Sequence, residues 1–442
     1  MIHPEKIKYI NRESLKLVES VVERIEERGG SMEAIGSIKE KYAHQIKDVI
    51  GDSEFSTTNH RNEKIAKWIT DGKKSIGFDS KKFPAFNNFL ENIYKDKYLR
   101  KVTTKSFVEK TVFHWIVKTY RLNQASESLS NFLELELQEN IQEYRFCFSV
   151  LNLELEGALK INDVDLRYIE KKDIEHLKSM LENRGQSESY FHLEKELAGK
   201  VVLECKAKAE HEKAKEIAYE KCCTAMDVLM LCSDPAFNPE LHLNFDIDSR
   251  LAIPRESDYL IFNRKNEMTR SMEGMGSRHF ISKEYVSRLQ ERGISYLGTF
   301  ISNYNPENEL SRLILISMKS YSRALLIADY NKRVADIFSI LESLILPHDD
   351  SPILENLKKY IPKLITKDID QRKSMVAILS RLYKVRSKKV HHGIDSKINI
   401  DDLRLLQLIL NALILSFITK NEDHSSKATL LQEIDDALDQ AY

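Results

Sequence analysis

A chain of 442 residues with 42% hydrophobic and 31% charged side chains has the material for two or three packed cores. Its net charge of −1 excludes a bulk attraction to nucleic acid or membrane, so any such binding rests on local patches. With Gly 14 and Pro 9, turn residues are few for this length, which favours helices over sandwiches or barrels.

The five cysteines, Cys147, Cys205, Cys222, Cys223 and Cys232, form no CxxC pair and no zinc-ligand spacing. The polar start Met-Ile-His-Pro-Glu-Lys carries no secretory signal, which points to a reduced cytoplasm. One apolar run, Leu405 to Ile418, is shorter than the roughly 20 residues a membrane span needs. Gln407, Asn411 and Ser416 interrupt it, so it reads as a buried helix, and no membrane partner is expected.

Residues 1–140 read as almost wholly helical. Leu15, Val18, Val21, Val22 and Ile25 form a stripe that ends at Gly29-Gly30. A second helix is expected from Ser31, with Ile35, Ile38, Tyr42 and Ile46 on its face. Others are expected over Lys64–Thr70, Phe86–Tyr98 and Ser106–Asn140, with a polar loop between Gly51 and Asn62. Trp68 and Trp115 read as core. No catalytic constellation stands out here, and the role of this domain is open.

The texture changes near Glu143. Tyr144 to Leu155 alternates, Glu156-Gly157 reads as a turn, and Leu159 to Ile169 alternates again, which predicts a β-hairpin. Val201–Ala207 predicts a strand and Glu210–Leu231 a helix. Strand-like pieces follow at Leu241–Ile247, Tyr259–Asn263 and His279–Ser282, with a loop over Asn266–Arg278. Residues 141–304 are therefore expected to be a mixed α/β domain, suited to sensing or regulation.

From Asn305 the chain is helical again. Asn305-Pro306 reads as an N-cap and first-turn pair. Helices are expected from there to Ile327, then over Tyr330–Leu346, Ile353–Ile361, Gln371–His392, Asp401–Thr419 and Ala428–Tyr442. His348-Asp349-Asp350 reads as an interhelix loop, with Asp350 or Ser351 capping the next helix, rather than as a metal cluster. The fold class is mainly α with a mixed α/β middle, closed by a helical bundle over 305–442.

One stretch stands apart. Met375, Leu379 and Leu382 mark a buried helical stripe. Four residues further the stripe calls for an apolar side chain, and Arg386 stands there. An inward guanidinium is costly unless it is paired or lines a polar cavity. His391 and His392 close the same helix, and Gly393 is a natural stop. The arginine-to-histidine spacing alone is a weak signal; the stripe makes it specific. Arg381, Lys384, Lys388 and Lys389 fall on this helix too, and no acidic residue interrupts them. They are candidate contacts to a phosphate backbone, with a solvated basic face as the plain alternative. The preceding helix carries Ile337, Ile340, Leu341, Leu344 and Ile345 as its apolar face, and Glu342 among them.

Tyr383-x-x-Arg386-Ser387-x-x-Val390-His391 before glycine resembles the signature of HEPN domains, in particular the Apea-like group of abortive-infection proteins. Leu341-Glu342-Ser343-Leu344 resembles that group's Leu-Glu-x-Leu segment. The extra His392 departs from the pattern, and the Val-His match selects His391. The resemblance covers 305 to about 425; a softer likeness to the group's amino-terminal partner domain lies at Leu153–Gly157.

The resemblance implies a HEPN-like bundle that pairs as a homodimer or higher oligomer and builds one composite site. It implies a metal-independent endoribonuclease with no cofactor, an antiphage or toxin effector whose partner is RNA. A phage-derived or stress trigger would release it. The RNA supplies its own 2′-hydroxyl as nucleophile. Imidazole titrates near neutral pH, which gives His391 the role of general base or acid. The planar fork of Arg386 matches phosphate. His392, Glu342, Ser387 and Tyr383 are possible supports, Glu342 by pairing with Arg386. The alternative within the resemblance is a non-catalytic module that binds nucleotide or RNA, or partners a nucleotidyltransferase.

Overall fold

The computed structural model describes residues 2–25, 53–70, 74–170, 174–175, 199–248, 257–262, 268–273, 278–348 and 350–439. The protein is mainly helical with a curled antiparallel sheet in its middle. It divides into two compact units, Met1–Arg145 with Lys206–Ala218, and Phe146–Cys205 with Tyr219–Tyr442.

In the first unit, helix α1 (Pro4–Glu19) starts at His3, whose Nδ1 accepts from the Glu5 amide. Four antiparallel strands follow: β1 (Val22–Ile25), β2 (Ser53–Thr58), β3 (Lys64–Thr70) and β4 (Lys74–Phe78). Their order is β1-β4-β3-β2. Helices α2 (Phe83–Tyr94), α3 (Lys97–Val102), α4 (Lys105–Leu122) and α5 (Leu129–Asn140) complete the unit.

This sheet corrects the helical expectation for the region. Lys64–Thr70 is the central strand, and Ala66, Lys67, Trp68 and Ile69 are all buried. A strand covered on both faces does not alternate, so its apolar run imitates a short helical stripe. The expected 51–62 loop contains β2, and the stripe from Leu15 to Ile25 breaks into α1 and β1. Hairpin β2–β3 turns where Asn59 Oδ1 accepts from the amides of Arg61 and Glu63. The helix expected from Ser31 lies outside the described residues. The expected Ser106–Asn140 helix is two: Asn123 ends α4 in the left-handed region at φ 53°, and Ser128 caps α5. Phe78, Phe86 and Phe113 meet in the core, the first pair stacked at 4.8 Å. Trp68 and Trp115 are buried.

A second sheet runs β10-β5-β9-β8-β7. Its strands are β5 (Gln142–Leu151), β7 (Leu159–Ile161), β8 (Val164–Tyr168), β9 (Val201–Ala209) and β10 (Asp246–Ile247). The predicted hairpin about Glu156-Gly157 does not form. Strand β6 (Leu153–Leu155) instead pairs in parallel with β13 (His279–Ile281). The hairpin joins β7 to β8, where Asn162 adopts φ 57°; asparagine tolerates that conformation without glycine. Strand β12 (Met268–Glu273), paired with β11 (Ser257–Phe262), occupies part of the expected 266–278 loop. Helix α6 covers His211–Cys232.

Helices α7 (Lys283–Glu291) and α8 (Ile294–Ser302) lead into six more: α9 (Glu309–Leu325), α10 (Tyr330–Ile345), α11 (Ile353–Ile365), α12 (Ile369–His392), α13 (Ile400–Lys420) and α14 (Lys427–Asp439). Helix α10 packs against each of the other five and is the centre of this bundle. Asn308, not Asn305, caps α9, and its side chain accepts from Ser311. No side chain caps α11, which begins after Pro352 and continues through Pro362 to Ile365. Helix α13 is long and apolar enough to cross a membrane by composition, yet half of that window is buried inside the protein.

Gly77 marks the tightest approach in the first unit. A Cβ there would stand 2.0 Å from the Lys67 carbonyl oxygen, whereas one at Gly157 meets nothing within 4 Å. Gly77→Ala is expected to lower unfolding free energy by about 3 kcal/mol, and Gly157→Ala by under about 1 kcal/mol. Denaturant titration of both variants checks this, and equal effects would contradict the packing of β3 on β4.

Candidate functional site

Helix α12 begins with Asp368, whose Oδ1 accepts from the Gln371 amide at 2.8 Å. Its Ile378, Leu379 and Leu382 are buried. It ends in a left-handed cap, whose five-to-one bond runs from the Gly393 amide to Lys389 O at 3.0 Å, and the Ile394 amide donates to Lys388 O at 3.3 Å. Gly393 takes φ 66°, a conformation that carries no Cβ penalty for glycine. Gly393 thus ends the helix directly after the two histidines.

Arg386 points into the bundle, and its side chain is 11% exposed. Glu342, on the central helix α10, meets it: Nη2 donates to Oε2 at 3.0 Å and lies 2.9 Å from Oε1. The second contact is close enough for an ion pair but is not aligned as a hydrogen bond, and Oε1 and Arg386 Nε both remain buried without a hydrogen-bond partner. Tyr383 lies edge-on to Phe338 at 5.6 Å, and the Arg386 guanidinium stands 5.6 Å from the Tyr383 ring. Ser387 is half-buried.

The structure brings Arg386, Glu342 and Tyr383 together but sets the histidines apart. At 3.6 residues per turn, His391 lies about 140° round the helix from Arg386, and His392 about 120° round the other way. Both imidazoles are exposed, with ring centroids 6.5 Å apart. Lys384 and Lys388 share the outer face with His391 and are exposed.

Two of the four proposed RNA-contacting cations already hold carboxylates. Arg381 makes a two-pronged pair with Asp402 at 2.9 and 2.6 Å. Lys389 reaches Asp395 at 2.6 Å and Asp329 at 3.6 Å. No acidic residue interrupts the helix in sequence, but neighbouring segments supply these partners. Lys384 and Lys388 form no ion pair among the described residues. Among the same residues, no group of His, Cys, Asp and Glu is arranged to hold a metal ion.

Arg333 was not singled out in the sequence, yet it is fully buried. Its Nε donates to Ile327 O at 3.0 Å and Nη1 to Pro239 O at 3.4 Å. Burial pulls its pKa down from the ordinary arginine value. Its signal was the same as for Arg386: it precedes Ile337, Leu341 and Leu344 by four, eight and eleven positions on the apolar stripe of α10. Its partners are backbone carbonyls, which marks it as an anchor for the segment before α10.

No protein-family model matches the chain, no curated protein matches it in sequence, and no solved structure matches it.

Burial pushes the Glu342 carboxyl above its ordinary value and outweighs the opposing pull of Arg386. A carboxyl whose folded pKa exceeds its unfolded pKa binds its proton first in the folded state. Its contribution to stability therefore grows as pH falls through the folded pKa towards the unfolded one, and is lost as pH rises through the folded pKa. Wild type should gain stability relative to Glu342→Gln as pH is lowered from 7 towards 4. Denaturant unfolding of both proteins across that range measures it; a loss relative to the variant on acidification contradicts the burial argument.

Proposed function

We propose that the chain is a metal-independent endoribonuclease of HEPN type that cuts RNA by 2′-hydroxyl attack at a site shared between two copies. The observation that carries this is Arg386, a guanidinium drawn inside a helical bundle and steadied by Glu342 on the central helix, five residues before His391 on a helix capped by glycine. A guanidinium held by one edge keeps its planar fork oriented, and preorganised donors stabilise a transition state without reorganisation. The charge that builds on a pentacoordinate phosphorus is the anion it would meet. An exposed imidazole can remove the 2′-hydroxyl proton and return one to the leaving 5′-oxygen.

The angle between Arg386 and His391 supports a composite site, since one helix cannot aim both at one phosphate. The apolar stripe of α12 also continues past Arg386 to Val390, which is 54% exposed, and Ile394 beyond it is 55% exposed. Apolar surface beside the motif suits contact with a second copy. Cleavage in the cytoplasm on a phage or stress trigger is the biological setting that goes with this chemistry.

One observation favours a second class. Glu342 already neutralises Arg386, as it would in a bundle that binds nucleotide or RNA without cutting it. The two differ in what is lost on substitution.

Wild type should fragment total RNA in EDTA and leave 2′,3′-cyclic phosphate ends. His391→Ala should lower the rate at least about a hundredfold, while His392→Ala stays within about threefold. Val390→Asp should lower both the dimer fraction in light scattering and the cutting. Cutting that survives His391→Ala and ends with His392→Ala moves the general base by one residue. RNA retained on the protein with no fragments, after coexpression with a phage trigger, sinks the nuclease assignment in favour of the binding module.

A further inference from the structure

Two cysteines far from the arginine and histidine helix lie sulfur to sulfur. Alternation along β9 turns Leu203 and Cys205 to its buried side. Cys205 is 2% exposed, and Cys222 on α6 is fully buried. Cys222 Sγ donates to Cys205 Sγ at 3.5 Å and stands 3.8 Å from Leu203 O. The structure holds both as thiols.

A buried cysteine usually serves as a small apolar side chain. Cys232, on the same helix, is of that kind: burial pushes its thiol up to about 12, and its Sγ rests 3.7 Å from Arg292 O. The pair differs. The shared hydrogen bond pulls the Cys205 thiol down, and the same bond together with burial pushes the Cys222 thiol up. One sulfur is thus disposed to be the thiolate and the other to keep the proton, the asymmetry that disulfide formation uses. A cleft of about 310 Å³ reaches the same place, lined by Asp163, Val164, Lys221, Ala225, Gly298 and Ser302. Lys221 and Ala225 flank Cys222 on α6, and Lys221 pairs with Asp163 at the cleft. Hydrogen peroxide is little larger than water, and a cleft of this size admits it within one helical turn of Cys222.

We propose that Cys205 and Cys222 form a redox site whose substrate is a hydroperoxide and whose product is a disulfide stapling β9 to α6. The Cys205 thiolate attacks one peroxide oxygen and the O–O bond breaks. The leaving hydroxide takes up a proton as water, and Cys205 becomes a sulfenic acid. The Cys222 sulfur then attacks the Cys205 sulfur and the S–O bond breaks. The Cys222 proton leaves with that hydroxyl as a second water. The two sulfurs together lose the two electrons that the peroxide gains. They close from 3.5 Å to the roughly 2 Å of a disulfide, and a dithiol reductant reverses the bond by exchange. Helix α6 also carries Asp227, which accepts from Ser322 Oγ on α9 at 2.6 Å. The staple therefore joins a sheet strand to the helix that meets the bundle. It does not rest on the nuclease assignment.

The full chain, reduced and then exposed to hydrogen peroxide, tests this. After denaturation and alkylation, a peptide map should show Cys205 joined to Cys222, and dithiothreitol should release both. The oxidised protein should melt about 2 °C or more above the reduced one, because the bond closes a loop of the unfolded chain. Cys222→Ser keeps a hydroxyl donor to Cys205 but removes the second sulfur. Peroxide should then leave Cys205 as a sulfenic acid that a cyclic 1,3-diketone labels. Cys147 is exposed, and Cys147→Ser should form the bond as wild type does. Where the Cys222 variant fails to fold, the wild-type map decides. Both cysteines recovered alkylated after peroxide would leave them as core side chains only and overturn the proposal. So would a link from Cys205 to another cysteine, or an oxidised protein that melts no higher than the reduced one.

Discussion

A guanidinium inside a helical bundle must find a carboxylate, and in this protein that requirement ties α12 to α10. Arg386 takes the position where the stripe of Leu379 and Leu382 would otherwise continue, and Glu342 supplies the countercharge. Desolvating both ions costs several kcal/mol each, and mutual attraction offsets it only with good geometry. The pair here is incomplete, since Arg386 Nε and Glu342 Oε1 stay buried without partners. Replacing a buried ion pair with hydrocarbon of similar volume is often neutral or stabilising. Retaining an imperfect buried pair is easier to understand if the guanidinium has a second task. The same pair ties down one face of α12, and the turn of the helix from Arg386 sets the direction in which both histidines face solvent.

The distribution of charge separates two kinds of basic surface. On α12 the cations are answered by acids from elsewhere in the fold, Arg381 by Asp402 and Lys389 by Asp395. Exposed pairs of this kind contribute little to stability, but they reduce the field that a polyanion would feel. Beside α4, the carboxylates of Glu54 and Glu109 are matched by Lys67 and Lys64. Lys110 and Lys118 on the same helix form no ion pair among the described residues. Runs of lysine and arginine in a sequence do not distinguish these cases, because the neutralising partners lie on other segments of the fold.

Much of the C-terminal bundle was legible in the sequence. The stripe Ile337, Leu341, Leu344 predicted α10, and Arg386 was expected to face inward because periodicity alone assigns a residue to a helix face. Arg333 was readable by the same rule. The N-terminal sheet was not legible. Its central strand is buried on both sides, and its neighbours are short. The hairpin near Gly157 failed for another reason: β6 found a partner more than a hundred residues away in β13, and no local pattern encodes a distant pairing.

The sequence by itself determined a mainly helical chain with a mixed middle, the inward position of Arg386, and the glycine stop behind His391. These follow from period, propensity and backbone sterics, which act over a few residues. The tertiary structure alone decided that Glu342 meets Arg386, that the histidines lie on another side of α12, and that Asp402 and Asp395 quieten the basic face. Each of those depends on which surfaces come together, and side chains 44 positions apart, as Glu342 and Arg386 are, meet only once the packing of whole helices has set their distance.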